Sequence, residues 1–133
     1  MAYQLRFDRL HHYSLGQPGI TLPVRVSLGS RWVSITAKLD TGASCCVFSR
    51  ESGEELNLRV EAGLAVRMAT PAGSFRVFGH SVTLEALGLS FDTMVYFAER
   101  ANFPRNVLGQ RGWLDLVRLA LVDYDGHLYL SPY

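Results

Sequence analysis

The chain has 133 residues, of which 48% are hydrophobic and 19% are charged, and its formal net charge is +1. This size and composition predict one globular domain, residues 1–133, and the near balance of charges argues against a nucleic-acid partner. No stretch approaches the roughly 18 apolar residues of a membrane helix, and Arg6, Asp8 and Arg9 interrupt the start, where a signal peptide is apolar. We therefore expect a soluble, cytoplasmic protein without a membrane partner.

Strand signals dominate the chain from residue 20 onward. Branched or alternating apolar residues predict eight strands, with a further short apolar run at 45–48. The eight predicted strands lie at 20–28, 31–39, 64–70, 74–87, 89–97, 107–109, 118–124 and 127–131. Turn residues at 29–30, 71–73 and 125–126 join neighbouring strands into three hairpins, and the strand at 74–87 is expected to break near Gly79.

Helix signals are few. Ser49 is a predicted N-cap for one short helix over 50–56, and a second short helix is expected at 111–116. Eight or nine strands against two short helices predict an all-β, mainly antiparallel fold. A closed or partly closed β-barrel is the architecture that such a chain favours.

Several kinds of site are excluded because the chain lacks the residue spacing that each needs. It has no Gly-rich phosphate loop, dinucleotide-binding fingerprint, CxxC pair, HExxH motif or Gly-x-Ser-x-Gly motif. The four histidines are His11, His12, His80 and His127. Neighbouring histidines point to opposite faces of a strand and the other two stand alone, so we expect no metal site. The adjacent Cys45 and Cys46 are expected to be reduced, buried structural thiols.

One pentapeptide stands out as a candidate site: Asp40, Thr41, Gly42, Ala43 and Ser44, between an apolar strand and an apolar run. Asp, Thr and Gly are also the residues that an ordinary tight turn prefers. The motif by itself is therefore compatible with a functional site and with a plain turn. The segment resembles the active-site signature of the retroviral-type, or retropepsin-like, aspartic proteases. In that signature apolar residues precede Asp, Thr or Ser, Gly and Ala.

A second marker of the same family is two apolar residues followed by Gly and a short helix. Val107, Leu108 and Gly109 match it, with 110–116 in the helix position. One departure from the family pattern is Gln110, since many relatives have Arg directly after the Gly. The resemblance spans about residues 20 to 131, and it implies a β-barrel of the acid-protease type.

Between its two markers this family has a β-hairpin flap that closes over the substrate, and the segment 68–75 is similar in placement and character. The resemblance assigns flap and substrate-binding roles to Met68, Ala69, Thr70, Pro71, Ala72, Gly73 and Ser74. The turn at 71–73 offers few large side chains that could pin the tip to the core. We therefore expect a mobile hairpin.

Peptide hydrolysis by aspartyl groups needs two carboxyls around one water molecule. This chain has a single Asp in the Thr-Gly context, because Asp115, Asp123 and Asp125 lack it. A C2 homodimer with Asp40 from each chain would complete the site. The predicted function is therefore an aspartic endopeptidase that acts on a peptide or protein substrate without a cofactor. The terminal strand at 127–131 is expected to be an unpaired edge that joins its twin.

The resemblance also implies a role for each residue of the loop. The Thr41 hydroxyl would bond across the dimer axis, Gly42 would let the two loops approach closely, and Ala43 would line the pocket. Ser44 either holds the outer oxygen of Asp40 or bonds its own backbone, as a turn hydroxyl does.

Two alternatives remain open beside the protease. A binding or scaffold module could keep the protease-like dimer with little turnover, and it would share Asp40. An unrelated small β protein could instead use its barrel for interaction. An exposed Asp40 in a monomeric chain would favour this second alternative.

Overall fold

A computed structural model describes all residues of the chain, 1–133. In the first half of the chain, the alternating apolar and polar side chains form the strands that the sequence predicts. The ten strands are β1 Arg9–His12, β2 Thr21–Leu28, β3 Arg31–Leu39, β4 Val47–Phe48, β5 Leu64–Thr70, β6 Gly73–Ala86, β7 Leu89–Ala98, β8 Val107–Leu108, β9 Val117–Val122 and β10 His127–Pro132. The one α-helix, α1, spans Arg50–Glu55, and short 3-10 turns lie at Val60–Ala62, Leu114–Leu116 and Asp123–Asp125. The predicted N-cap of α1 is confirmed, since the Ser49 hydroxyl accepts a hydrogen bond from the Ser52 amide at 3.3 Å.

Seven strands form one sheet in the order β2-β3-β8-β4-β7-β6-β5, and β2 also pairs with β6. That additional pairing joins the sheet to itself, so the predicted all-β, partly closed barrel is confirmed. A second sheet has three strands in the order β1-β10-β9. No helix of the chain has the length and apolar character that crossing a bilayer requires.

Two short strands, β4 and β8, give the barrel its non-sequential connection. β8 runs parallel to β3, through Lys38–Val107 and Leu39–Leu108, and antiparallel to β4. β4 in turn runs parallel to β7. The end of β3 and the start of β4 therefore flank β8, although 68 residues separate Leu39 from Val107 in sequence.

The main core is a cluster of 22 buried residues enclosed by the strands. Its largest fully buried side chains include Trp113, Phe48 and Phe97. A smaller cluster of Cys45, Val47 and Val77 lies apart from it. Burial of β-branched and aromatic side chains on the inner face is the main stabilising contribution that the barrel makes.

Two expectations about single elements are wrong. Gly79 does not break β6, because it pairs with Leu64 on one side and Tyr96 on the other. A Cβ at Gly79 would lie 2.8 Å from the Tyr96 ring, so glycine makes room for that ring within a regular strand. Residues 111–116 form only one 3-10 turn, because Gly112 has a φ of +100° and turns Trp113 into the core.

The C-terminal strand also differs from expectation. β10 is the central strand of its sheet, paired with β9 from Val117 to Val122 and with β1 from Arg9 to His12. β1 is absent from the predicted elements, and it occupies the edge that was expected to be free. The prediction that 127–131 is an unpaired edge is therefore wrong, and the edges of this sheet are β1 and β9.

Candidate active site

Asp40 lies directly after β3, at the point where β3 pairs with β8. Its amide donates to the Leu108 carbonyl at 3.0 Å, and the amide of Lys38 donates to the Asn106 carbonyl at 2.8 Å. These bonds continue the parallel pairing of β3 with β8 up to the aspartate itself. The main chain of Asp40 is consequently held against the second family marker.

The carboxylate of Asp40 is oriented by its own turn. The Asp40 carbonyl accepts from the Ala43 amide at 3.1 Å, and its Oδ1 accepts from the Gly42 amide at 2.9 Å. A carboxylate that bonds the backbone two residues on is an Asx turn, which fixes the side chain against the loop. Asp40, Thr41 and Gly42 are all exposed in the chain alone. The turn therefore presents a fixed carboxylate at the surface.

The second marker passes directly beneath this loop. A Cβ at Gly109 would lie 2.2 Å from the Cys45 carbonyl oxygen and 2.8 Å from that of Ala43, which only a glycine avoids. Past Gly109, the Gln110 amide donates to the Ala43 carbonyl at 2.8 Å. The Arg111 amide donates to the next carbonyl of the loop, at 3.0 Å. The structure thus brings the two predicted markers into direct contact.

The loop hydroxyls of Thr41 and Ser44 do not hold the Asp40 carboxylate, and the Ser44 hydroxyl hydrogen-bonds the Cys45 thiol instead. Neither the Thr41 hydroxyl nor the Ser44 hydroxyl hydrogen-bonds to Asp40, whose Oδ1 is held by the Gly42 amide instead. The Thr41 carbonyl accepts from Gln110 Nε2 at 2.6 Å. Of the two roles considered for Ser44, holding the outer oxygen of Asp40 is not seen in the single chain.

The predicted flap is a hairpin of β5 and β6 with a two-residue turn at 71–72. Thr70 pairs with Gly73, and the Thr70 hydroxyl donates to the Gly73 carbonyl at 2.8 Å. Gly73 has a φ of +126°, a left-handed value that favours glycine. Residues 69–74 are all exposed, so no large side chain holds the tip to the barrel.

The stem of the flap, unlike its tip, packs against the chain that leaves the Asp40 loop. Met68 pairs with Phe75 across the hairpin, and both are partly buried against the smaller cluster of Cys45, Val47 and Val77. Other partly buried members of that layer are Val66, Tyr96 and Phe103. An apolar layer therefore joins the predicted flap hairpin to the Asp40 loop.

Comparison with known proteins decides the family. The family model for aspartyl proteases matches residues 22–111, which include the Asp40 loop, the flap and the second marker. The chain belongs to the aspartyl protease family. Its fold is similar to that of the EIAV protease complexed with the inhibitor HBY-793, with a TM-score of 0.56 and 23% sequence identity. That match covers 74% of this chain and 86% of the other. No curated protein matches the chain significantly.

Other groups in this aspartyl protease fold do not supply competing chemistry. Burial raises the pKa of the Cys46 thiol to about 12 and also raises that of Cys45. Neither thiol is a nucleophile near neutral pH, since the thiolate is the reactive form. No group of three or more His, Cys, Asp or Glu side chains is arranged to hold a metal ion.

Two of the three other candidate carboxylates, those of Asp115 and Asp123, have hydrogen-bond partners of their own. Asp115 Oδ1 accepts from the Gly112 amide at 3.1 Å, within the turn that follows the second marker. Asp123 Oδ1 accepts from the Tyr13 hydroxyl at 2.5 Å, and this bond raises the pKa of Tyr13 to about 12. Of these carboxylates, that of Asp40 belongs to the loop that contacts the second marker.

Two residues of the site were missed from the sequence. Gln110 was noted only as a departure from the family pattern, yet its side chain holds the Thr41 carbonyl. Asn106 bonds Lys38 through its carbonyl, and its Oδ1 accepts from the Ser49 amide at 2.9 Å. The position of Gln110 directly after the marker was a usable signal, whereas nothing in the sequence distinguishes Asn106 from other loop residues.

Proposed function

We propose that this chain is an aspartic endopeptidase whose active site is assembled from Asp40 of two copies related by a two-fold axis. The observation that carries the proposal is the Asp40 turn. It holds one exposed carboxylate on the second marker through the Asp40 amide and the Gly42 amide. Membership of the aspartyl protease family supports the same chemistry.

The chemistry requires a second carboxyl. One ionised group must take a proton from water while a protonated group hydrogen-bonds the scissile carbonyl. No other carboxylate of the chain hydrogen-bonds to Asp40, whose Oδ1 accepts from the Gly42 amide. The exposed apex at Thr41 and Gly42 leaves the loop open to a partner. A two-fold axis beside Gly42 supplies the missing group with no further sequence.

Two carboxylates about 3 Å apart cannot both be ionised, so the pair holds one proton at acidic to mildly acidic pH. The ionised Asp40 takes a proton from the water, whose oxygen attacks the peptide carbonyl carbon. The other Asp40 donates its proton to the carbonyl oxygen. When the C–N bond of the tetrahedral intermediate breaks, the leaving nitrogen takes a proton from one Asp40 carboxyl, and a hydroxyl of the intermediate returns a proton to the other, so the dyad again holds one proton. The products are a carboxylic acid and an amine, and no covalent enzyme intermediate forms.

Other parts of the site would serve this reaction. The Thr41 hydroxyl, free within the chain, would bond across the axis, while Gly42 lets the two loops approach. The exposed flap tip would close on an extended peptide, excluding water and offering backbone hydrogen bonds. These roles require the dimer, because the substrate lies between the two copies.

The test is hydrolysis of a peptide library between pH 4 and pH 7, read by mass spectrometry, with Asp40→Asn as the matched control. The amide keeps an oxygen that can accept from the Gly42 amide, so the thermal stability should change little. The rate of cleavage should fall by about 10²- to 10⁴-fold, the usual contribution of a general base. Undiminished cleavage by Asp40→Asn would reject Asp40 as catalytic.

Mixing the wild-type protein with Asp40→Asn tests whether two chains share one active site. If each active site needs Asp40 from both chains, activity after subunit exchange should follow the square of the wild-type fraction. A linear dependence would show that each chain acts alone. A stable dimer with no cleavage would support the scaffold alternative, and a chain that stays monomeric at all concentrations would support the small interaction protein.

A further inference from the structure

The loop 99–106, which joins β7 to the second marker, is held at three points by three successive residues at the start of α1. The Ser49 amide donates to Asn106 Oδ1 at 2.9 Å, and Arg50 Nη1 donates to the Glu99 carbonyl at 2.9 Å. The third residue, Glu51, holds the middle of the loop. Both ends and the middle of the loop are therefore fixed to one short segment of the barrel.

The central anchor is the most specific. Both carboxylate oxygens of Glu51 accept from the Asn102 amide, at 2.9 and 3.3 Å. Asn102 has a φ of +60°, a left-handed value that only a few residue types adopt readily. A charge-assisted bond to that amide offsets the cost of this backbone conformation. The bond sets the direction in which the chain leaves Asn102, and the next residue is Phe103.

Phe103 is directed at the flap. Its ring centroid lies 5.2 Å from that of Phe75, with an interplanar angle of 37°. Phe75 belongs to β6 and pairs with Met68 of β5, so the contact falls on the stem of the flap hairpin. Residues 69–74 beyond this contact are exposed. The aromatic pair is thus the junction between the fixed loop and the hairpin.

We propose that Glu51 and Phe103 form a tether that sets the position of the flap, with Phe103 as a positioning residue for the hydrolysis. Glu51 fixes the loop, the loop presents Phe103, and Phe103 holds Phe75. The catalytic consequence rests on the proposed protease function, whereas the mechanical one does not. Aromatic pairs at this separation shift an equilibrium by about 2- to 12-fold beyond their buried area, so the tether can be released when substrate enters.

The test is hydrogen exchange of the backbone amides of residues 64–78 in the full chain, compared among wild type, Phe103→Ala and Glu51→Ala. Both substitutions should speed exchange in the flap hairpin by about 2- to 12-fold and leave exchange in β2 and β3 unchanged. Phe103→Tyr should restore the wild-type rates, because it keeps the ring.

Matched controls separate the tether from general destabilisation. Phe7→Ala removes a ring that pairs with Tyr129 at 6.0 Å on the other sheet, and Glu55→Ala removes an exposed carboxylate from α1. Neither should alter exchange in the flap. Equal exchange in wild type and Phe103→Ala, or equal acceleration by the control variants, would overturn the proposal.

Kinetics then connect the tether to catalysis. In a protein that cleaves peptides, Phe103→Ala should raise KM several-fold with a smaller change in kcat, because the released flap must be ordered by the substrate. An unchanged KM with faster flap exchange would contradict the positioning role. If the wild-type protein cleaves nothing, the protease proposal fails while the exchange experiment still tests the tether.

Discussion

Replacing Gly109 by Ala should destabilise the protein strongly, because the second marker has no room for a side chain. The new Cβ would lie 2.2 Å from the Cys45 carbonyl oxygen, whereas ordinary contact begins at 3.4 Å, so the strands must separate by about 1.2 Å. That movement would break the bond from the Gln110 amide to Ala43 at 2.8 Å and the bond from the Arg111 amide at 3.0 Å. Overpacking costs about 1 to 3 kcal/mol and each lost hydrogen bond about 1 kcal/mol, so we expect a loss of about 3 to 5 kcal/mol.

The assay is thermal unfolding followed by circular dichroism, with Gly16→Ala as the control. A loss of this size lowers Tm by about 10 to 20 °C in a domain of this length. Gly16 is exposed, and its new Cβ would meet only the Ser14 hydroxyl at 3.7 Å, so its Tm should move by no more than about 2 °C. A Tm of Gly109→Ala within that range of the wild type would refute the close packing of the marker under the Asp40 loop.

Three further predictions concern the flap, a buried thiol and a surface ion pair. Gly73→Val should raise KM and lower kcat, because Val is strained at the φ of +126° and must deform the flap tip. Its Tm should fall by less than that of Gly109→Ala, because the tip is exposed and can adjust without disturbing the core; normal cleavage would reject the flap assignment. Burial raises the pKa of Cys46 to about 12, so the neutral thiol contributes fully to the free energy of unfolding below pH 9, and this contribution is lost as the pH rises toward about 12. In urea titrations the free energy of unfolding of Cys46→Ala should therefore fall less steeply with alkaline pH than that of the wild type. Arg50 lowers the pKa of Glu61, so this pair should stabilise the fold above pH 4.5 and less as the pH falls below it. Glu61→Gln should flatten that acid dependence in the same titration, and an unchanged slope would count against the ion pair.

Local patterns predicted the barrel strands well, because their signals are contained in the segments themselves. The alternation in β3 placed Asp40 at the end of a half-buried strand, and the turn residues gave the hairpins. Positions that depend on distant neighbours were not predictable in this way. Gly79 suggests a break in isolation, whereas the Tyr96 ring that needs its space comes from another strand. β1 has only four residues, and it is a strand because β10 pairs with it.

The site shows the same division. The motif and its resemblance singled out Asp40, the loop and the second marker, and the structure places the loop on that marker. The hydrogen bond of Gln110 to Thr41 depends on a contact between residues 69 positions apart. Likewise, Gly112 forms a turn within the segment predicted to be a helix, at 111–116, and this turn places the Trp113 ring in the core. Side-chain partners across the fold were therefore beyond sequence patterns.

The distance between the two Asp40 carboxylates in a crystal structure of the protein tests the central proposal most directly. Crystals grown at mildly acidic pH should contain a two-fold axis beside Gly42, with the carboxylate oxygens of the two copies about 3 Å apart and one water between them. Copies whose Asp40 side chains lie far apart, in a protein that nevertheless cleaves peptides, would contradict the shared active site.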